Sequence, residues 1–220
     1  MFIGATSWQI NGSYLENIEY LGENFQFCEL LVYTWNKKTE KILTKEIDEI
    51  QDRTKLTLHL PTDKLENVKE AYEFFKDHDY LNMTLHPFNN FKTFADFYFS
   101  VSEENSGNIS VENPENDIFF EFCDYLKEEV SKVFITMDYG HLLLDKRSVN
   151  SFYKRFSKQI TEIHFHGTND MKSHCYPDQK TIDDFKKFLK DKKLSPDFPV
   201  CIELFNLEET KRLATVLKGN

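Results

Sequence analysis

The sequence predicts a single-domain (β/α)₈ TIM barrel spanning residues 1–220. Strand and helix patterns alternate eight times along the 220 residues, and no linker or change in composition divides them. Several predicted strands also end in a histidine or a carboxylate, as expected where an α/β enzyme builds its site. A doubly wound open sheet is the structural alternative, but no glycine-rich phosphate loop supports it.

The predicted strands are short apolar runs, and two of them stop at Pro61 and Pro87. Two others end abruptly in the carboxylates Glu112 and Asp138. The eight runs cover Phe2–Thr6, Phe25–Tyr33, Lys55–Leu60, Tyr80–Leu85, Ile109–Val111, Val133–Met137, Thr161–Phe165 and Pro199–Leu204.

The predicted helices show apolar residues at helical spacing, and Thr62 or Asp63 is placed to cap the third one. A turn is expected at residues 105–108 and a polar loop at residues 167–177. The eight helices cover Ser13–Leu21, Thr44–Asp52, Asp63–His78, Phe91–Glu103, Asp117–Val130, Val149–Gln159, Thr181–Lys192 and Glu208–Leu217.

Composition and charge narrow the classes of partner. With 40% hydrophobic residues the chain can build one sizeable core, and a net charge of −10 argues against nucleic acid or an anionic membrane. No apolar run approaches the roughly 20 residues of a membrane helix, and the N-terminal apolar start is too short for a signal peptide. Scattered cysteines without a CxxC pair favour reduced thiols in a cytoplasmic protein. The predicted partner is a small-molecule substrate. The oligomeric state is left open.

The alternation of side chains along the strands identifies a candidate site. Thr57 and His59 share one face of the third strand, whereas Leu58 and Leu60 share the other. The apolar face suits the layer beneath the helices, so the polar face points to the barrel axis. The same pattern places a metal-competent side chain at the inner top of strands three to eight: His59, His86, Glu112, Asp138, His166 and Glu203.

Each of these residues taken alone has a simpler explanation, because a lone histidine after a strand is usually only hydrogen-bonded. Glu112 before Asn113-Pro114 also fits a turn. Together, however, the carboxylates would repel one another in one lumen, and a divalent cation removes that cost. Mixed imidazole and carboxylate ligands suit zinc best, with manganese or iron as alternatives.

Six motifs in order resemble the xylose-isomerase-like superfamily of TIM barrels, which includes AP endonuclease family 2 enzymes and sugar phosphate isomerases and epimerases. The motifs are LTLHLP (56–61), MTLHP (83–87), ISVENP (109–114), TMDYGH (136–141), EIHFHG (162–167) and CIELF (201–205). The resemblance implies that one metal is held by His59, His86 and Glu112. It implies that a second metal is held by Glu112, Asp138, His166 and Glu203.

The resemblance also implies a third metal in the hydrolase members, which here would use His141 and His174. Those enzymes carry an aspartate two residues before the last histidine, where this chain has Lys172. Asp170 is the substitute ligand that the loop offers, so the sequence predicts one to three ions.

Within the superfamily, GATSW (4–8), FCELLVYTW (27–35), LHLPTD (58–63) and HGTNDMKSH (166–174) resemble the cobamide-remodelling phosphodiesterases. This resemblance implies hydrolysis of the phosphodiester in the nucleotide loop of a cobamide.

Two mechanisms follow. In the hydrolase, metals joined by Glu112 activate water and hold a phosphodiester, while His141 or His174 orients the phosphate or protonates the leaving oxygen. In a sugar or sugar-phosphate epimerase, Glu112 and Glu203 exchange protons with a ketose held on one metal. An epimerase with one metal ion has no need of His59 and His86. The presence of these two histidines therefore favours the hydrolase. A non-catalytic metal- or ligand-binding barrel is the third hypothesis, which Lys172 encourages.

Aromatic residues follow several strand ends, where a mouth would be lined, and they suit a planar or sugar-bearing ligand. Core packing is the alternative for about half of them. The candidates are Trp8, Tyr33, Trp35, Phe88, Tyr139 and Phe205. Glu29 and His164 also point inward and are predicted to support the ligands by hydrogen bonds. Glu29 fits a purely structural lumen residue equally well.

Overall fold

The computed structural model describes residues 1–104, 108–169 and 172–219, and its main feature is a closed barrel of eight parallel strands. The predicted TIM barrel is therefore confirmed. The barrel strands are β1 (Phe2–Thr6), β2 (Phe27–Leu31), β3 (Lys55–His59), β4 (Asn82–Leu85), β5 (Asn108–Glu112), β6 (Phe134–Asp138), β7 (Ile160–Phe165) and β10 (Pro199–Ile202). A separate hairpin consists of β8 (Gly167–Asn169) and β9 (Lys172–Cys175).

Helices follow the barrel strands and cover the outside of the sheet. They are α1 (Tyr14–Leu21), α2 (Lys37–Arg53), α3 (Leu65–Phe75), α4 (Phe91–Glu104), α5 (Ile118–Leu126), α6 (Tyr139–Leu144), α7 (Val149–Phe156), α8 (Gln179–Lys192) and α9 (Leu207–Lys218). None of these described helices is long and apolar enough to cross a membrane.

The barrel closes where β1 pairs with β10, and the remaining strands pair with their neighbours in chain order. The register sets Glu29 level with Thr57 and Asp138 level with His164, so the members of each pair point to the same face of the sheet. Side chains of the opposite parity are buried and apolar, and they form the core between sheet and helices. This arrangement brings the polar parity of every strand into one lumen.

Several predicted boundaries differ from the structure. Helix α2 begins seven residues before the predicted Thr44, because the Asn36 side chain caps it by accepting from the amides of Lys38 and Thr39. Helix α3 begins after Lys64, which makes no side-chain cap, so the predicted capping by Thr62 or Asp63 is wrong. The predicted helix 117–130 ends at Leu126 and continues as a 3₁₀ helix over Lys127–Lys132.

Two further differences lie near the candidate site. The predicted polar loop at residues 167–177 contains the hairpin β8–β9, and α6 follows β6 where no helix was predicted. The turn predicted at 105–108 lies mostly outside the described residues.

Packing at the bottom of the barrel explains why position 4 is a glycine. A Cβ on Gly4 would lie 2.4 Å from the ring of Phe27, which is fully buried beside it in the lumen. Phe27 therefore fills the bottom of the barrel only because β1 has no side chain at that level. Above this apolar floor the lumen is polar.

Candidate metal centre

The ligand-competent residues predicted from strand parity all lie at the carboxyl ends of the barrel strands. His59, Glu112 and Asp138 end their strands, and the others follow their strands by one residue. All are buried except His86, whose side chain is 22% exposed. The structure forms three groups at this rim whose ligand atoms lie within 4.8 Å of one another: His59, His86 and Glu112; Glu112, Asp138, His164 and Glu203; and His141, His166 and His174.

The first group is centred on one oxygen of Glu112. Its Oε2 lies 3.0 Å from His59 Nε2 and 2.7 Å from His86 Nε2. The other ring nitrogen of His59 lies 3.1 Å from the carbonyl oxygen of Leu60, which fixes the ring orientation. Two imidazoles directed at one carboxylate form a set of ligands that a transition-metal ion can bind.

The second group shares Glu112 with the first through its other oxygen. His164 Nδ1 lies 3.3 Å from Glu112 Oε1 and 3.3 Å from Glu203 Oε1. The predicted fourth member, His166, contacts this group only at Asp138, with its Nε2 3.2 Å from Asp138 Oδ1. His164, predicted as a supporting residue, therefore lies inside the group, and Glu112 joins the two groups.

The third group gathers histidines from three elements. His141 lies in α6 rather than in the predicted loop, and the Oδ1 of Asp138 accepts its backbone N–H at 2.6 Å. The backbone N–H of His174 donates to His166 Nδ1 at 3.0 Å. The predicted substitute ligand Asp170 lies outside the described residues, and Lys172 is exposed on β9. His166 is the third nitrogen donor that the structure offers here.

The imidazoles and carboxylates perturb one another strongly. Burial alone would raise the pKa of Glu112, but His86, His164 and His59 together hold it well below its usual range. Burial would lower the pKa of His59, yet Glu112 and the surrounding carboxylates raise it to about 9. Asp138 likewise outweighs burial and raises the pKa of His166 to about 9. In contrast, burial lowers the pKa of His174.

Polar atoms without partners support a cation at this rim. Asp138 Oδ2, Glu203 Oε2 and His166 Nε2 are buried and make no hydrogen bond. A buried polar atom left unpaired costs about 1–3 kcal/mol, more when it is charged, so such atoms normally have a partner. These residues therefore fit a divalent ion, with mixed nitrogen and oxygen ligands of the kind that zinc accepts.

Three of the predicted aromatic residues surround the mouth. Trp8, Tyr33 and Phe205 are exposed, and the rings of Trp8 and Tyr33 lie 5.8 Å apart. Tyr33 and Phe205 line a cavity of about 60 Å³ directly above the ligand groups. Among the described residues that line this cavity, none is a lysine or an arginine.

Two of the other three predicted mouth residues are buried elsewhere, which corrects the prediction for them. Trp35 is 6% exposed and packs against Phe74, with ring centroids 5.3 Å apart. Tyr139 is buried against Phe185 of α8. Phe88 is half-buried on the hydrophobic core. These rings turn back under the flanking helices because burying aromatic area there is favourable.

The lumen continues below the rim with residues that the sequence interpretation did not single out. Glu162 is fully buried two residues before His164 on β7, and its Oε2 accepts a hydrogen bond from Asn82 at 2.9 Å. Burial, together with Glu29, raises its pKa to about 8 against the opposing effects of His164 and Asn82. The alternation that identified His164 would also have identified Glu162, two residues earlier on the same face.

Comparison with solved structures finds the same TIM-barrel fold in several proteins. An AP endonuclease, family 2, from Brucella melitensis superposes with a TM-score of 0.69 at 12% identity, covering 99% of this chain and 98% of that one. The probable 3-DHS dehydratase AsbF from Bacillus anthracis gives 0.67 at 11% identity, with both chains covered completely. The 3-keto-D-glucoside 4-epimerase YcjR from E. coli gives 0.61 at 12% identity, also with complete coverage.

No protein-family model matches the sequence. No curated protein matches it either. At identities this low the structural neighbours establish the fold alone, and their printed activities differ from one another. The activity has to be inferred from the site.

Proposed function

We propose that this protein is a divalent-metal-dependent hydrolase that cleaves a phosphodiester in a small molecule. The observation that carries the proposal is Glu112, which contributes one oxygen to the His59 and His86 group and the other to the group containing His164 and Glu203. A carboxylate shared by two adjacent ligand sets is the arrangement of two-metal hydrolytic sites.

Bound divalent ions would lower the pKa of a water molecule and neutralise the phosphate charge. This chain's residues would hold them as the three rim groups, with His59, His86, Glu112, Asp138, His166 and Glu203 as the predicted ligands. His174 has a lowered pKa and is neutral at pH 7, so it suits a ligand or a proton acceptor. His141, between Asp138 and Glu115, is placed to orient the phosphate or to protonate the leaving oxygen.

The cavity supports a phosphodiester rather than a terminal phosphate monoester. Its described lining has no lysine or arginine, so an anion there depends on metal charge, which a singly charged diester needs least. The exposed rings of Trp8, Tyr33 and Phe205 suit stacking on a planar or sugar-bearing group. We include in the proposal zinc as the metal and the nucleotide loop of a cobamide as the first substrate to test.

A metal-dependent ketose epimerase is the second candidate. It is favoured by one contact pattern: Glu112 and Glu203 both approach His164 Nδ1 at 3.3 Å and so face one cluster from opposite strands. Two carboxylates placed in this way could exchange protons with one substrate carbon. The two histidines of the first group have no role in that chemistry, so we rank it second.

His59→Ala and His86→Ala separate the two candidates. For a hydrolase, each variant loses bound metal and loses cleavage of bis(4-nitrophenyl) phosphate, and of a cobamide to cobinamide phosphate, by at least about 100-fold. Metal is counted by elemental analysis, and ketose epimerisation is measured on the same samples. His78→Ala is the control, because His78 stacks on Phe74 outside the site.

If either histidine variant lost a metal ion and still epimerised ketoses, the hydrolase proposal would be wrong. Wild-type protein with a full complement of metal that acts on neither substrate class would instead support the non-catalytic binding barrel.

A further inference from the structure

A second ligand-competent cluster lies deeper in the lumen, below the rim groups. It consists of Glu29 on β2 and of Glu162 and His164 on β7, which we call the lower cluster. His164 Nε2 lies 2.9 Å from Glu29 Oε2 and 3.9 Å from Glu162 Oε1. All three residues are 0% exposed, so water does not reach these atoms from the surface.

The atoms that face one another in the lower cluster have no hydrogen-bond partners. Glu29 Oε2, Glu162 Oε1 and His164 Nε2 are all buried and make no hydrogen bond, although Glu29 Oε2 and His164 Nε2 form an ion pair at 2.9 Å. The 2.9 Å contact is thus a close approach without hydrogen-bond geometry. Three atoms on two strands that make no hydrogen bond and converge within 4.8 Å leave one point that a ligand would satisfy.

The rest of each side chain is already engaged, which isolates these atoms. Glu162 Oε2 accepts from Asn82 at 2.9 Å, and Glu29 Oε1 is 3.7 Å from the thiol of Cys201. His164 Nδ1 faces Glu112 and Glu203 of the rim. His164 therefore faces carboxylates on both sides, with Glu112 and Glu203 above its ring and Glu29 and Glu162 below it.

We propose that the lower cluster is a structural cation site below the rim groups, in which Glu29, Glu162 and the Nε2 of His164 bind one divalent transition-metal ion. One imidazole nitrogen and two carboxylate oxygens suit Zn²⁺ or Mn²⁺, whereas Mg²⁺ and Ca²⁺ prefer oxygen ligands alone. The site does not depend on the proposed hydrolase activity, although the same His164 ring faces Glu112 and Glu203 of the rim through Nδ1. Its two carboxylate ligands have no exposed surface.

Burial gives the ion in the lower cluster a kinetic signature. Ligand groups at the rim line an open cavity, and His86 and His174 are partly exposed there. A chelator reaches those groups directly but has no path to the lower cluster except through the rim or by opening of the barrel. We expect brief treatment with EDTA to remove the rim ions and to leave about one ion per chain.

The decisive measurement is the metal content of wild type and of Glu162→Gln after loading with Zn²⁺ or Mn²⁺ and after brief EDTA treatment. Glu162→Gln keeps the size of the side chain and its partner Asn82 but removes one ligand charge. The variant is expected to lose the EDTA-resistant ion and to retain the rim ions. Glu121→Gln is the matched control, because it is the same substitution at an exposed position on α5 and is expected to retain every ion.

An anomalous-scattering map of Mn²⁺-loaded wild-type crystals tests the same site without a variant. The proposal predicts a peak between Glu29 Oε2, Glu162 Oε1 and His164 Nε2. No peak there, or an EDTA-resistant ion that Glu162→Gln also retains, would overturn the proposal and would mean that protons neutralise the lower cluster. Neither result would change the interpretation of the rim, whose ligands are tested by His59→Ala and His86→Ala.

Discussion

Glu112 contacts three candidate imidazole ligands at the rim. Its two oxygens face different groups, with His59 and His86 on Oε2 and His164 on Oε1. These imidazoles hold its pKa well below the usual range, so it remains ionised at every pH at which the protein would work. A permanent negative charge between two ligand sets is the property that a shared metal ligand needs.

Replacing this charge tests its role directly. We expect Glu112→Gln to bind at least one metal ion fewer than wild type, because the neutral amide leaves His59 and His86 without their shared carboxylate. Elemental analysis of the purified variant measures the loss, and Glu121→Gln on the exposed face of α5 is the control. Unchanged metal content in Glu112→Gln would remove the basis for a two-metal site.

The raised pKa values of two histidines predict how metal binding depends on pH. His59 and His166 have pKa values of about 9 in the metal-free protein, so an ion must displace their protons at neutral pH. We expect the affinity for the metal ion to fall by about tenfold for each unit by which the pH is lowered, for each proton displaced. Competition with a chromogenic chelator from pH 6 to 9 measures this slope, and an affinity independent of pH would contradict the assignment.

The same values fix the sign of the pH effect on the metal-free fold. A histidine whose pKa in the folded protein is raised above its ordinary value of 6.5 stabilises the fold fully below pH 6.5. This stabilisation is lost as the pH rises towards 9.

Single residues show what the sequence could and could not predict. The parity of the strands predicted that Glu112 and Asp138 point inward, because alternation in a strand is fixed by geometry. Trp35 and Tyr139 were placed incorrectly because they lie past the strand ends, where that rule no longer applies. Their direction depends on which helix covers them, and this is a tertiary property.

At the scale of elements, the short helix α6 shapes the third histidine group. Asp138 is both the last residue of β6 and the N-cap of α6, and its carboxylate accepts a hydrogen bond from the backbone N–H of His141. Gly140, in the first turn, lies against the ring of His166, and a Cβ there would be 2.2 Å from that ring. A glycine is required because the helix approaches the imidazole this closely.

Gly140→Ala should therefore damage the site more than the fold. The added methyl group displaces the His166 ring from Asp138, and we expect metal affinity to fall by at least about tenfold, or about 1.4 kcal/mol per ion. Isothermal titration of the metal-free protein measures the affinity, and circular dichroism checks the fold. Leu144→Ala is the control, since Leu144 lies on the same helix but not among the residues lining the cavity.

The sequence predicted the long elements better than the short ones. Short apolar runs identified every barrel strand and helical spacing identified the longer helices, whereas α6 and the hairpin β8–β9 are too short to show a period. Both short elements position histidines of the third group. That group was therefore the part of the site least predictable from the sequence.

On the scale of the whole molecule, the barrel has an apolar floor at Phe27 and a charged upper lumen. The carboxylates that face this lumen are Glu29, Glu112, Asp138, Glu162 and Glu203. Burying them without counter-charge is unfavourable, and the neighbouring histidines offset only part of that cost. Closing the barrel brings these charges together, so cation binding and folding of this chain should be coupled.

Metal removal should therefore lower the stability of the entire barrel. An ion present at 100 times its dissociation constant stabilises the folded state by about 2.7 kcal/mol, which corresponds to a rise of about 5–10 °C in Tm for a chain of this size. We expect extensively chelated protein to melt lower by at least this amount and to recover on addition of Zn²⁺ or Mn²⁺. Differential scanning calorimetry with elemental analysis of the same samples measures both quantities. If metal-free protein melted at the temperature of the loaded protein, the lumen charges would have to be balanced within the chain, and the coupling of cation binding to folding would be excluded.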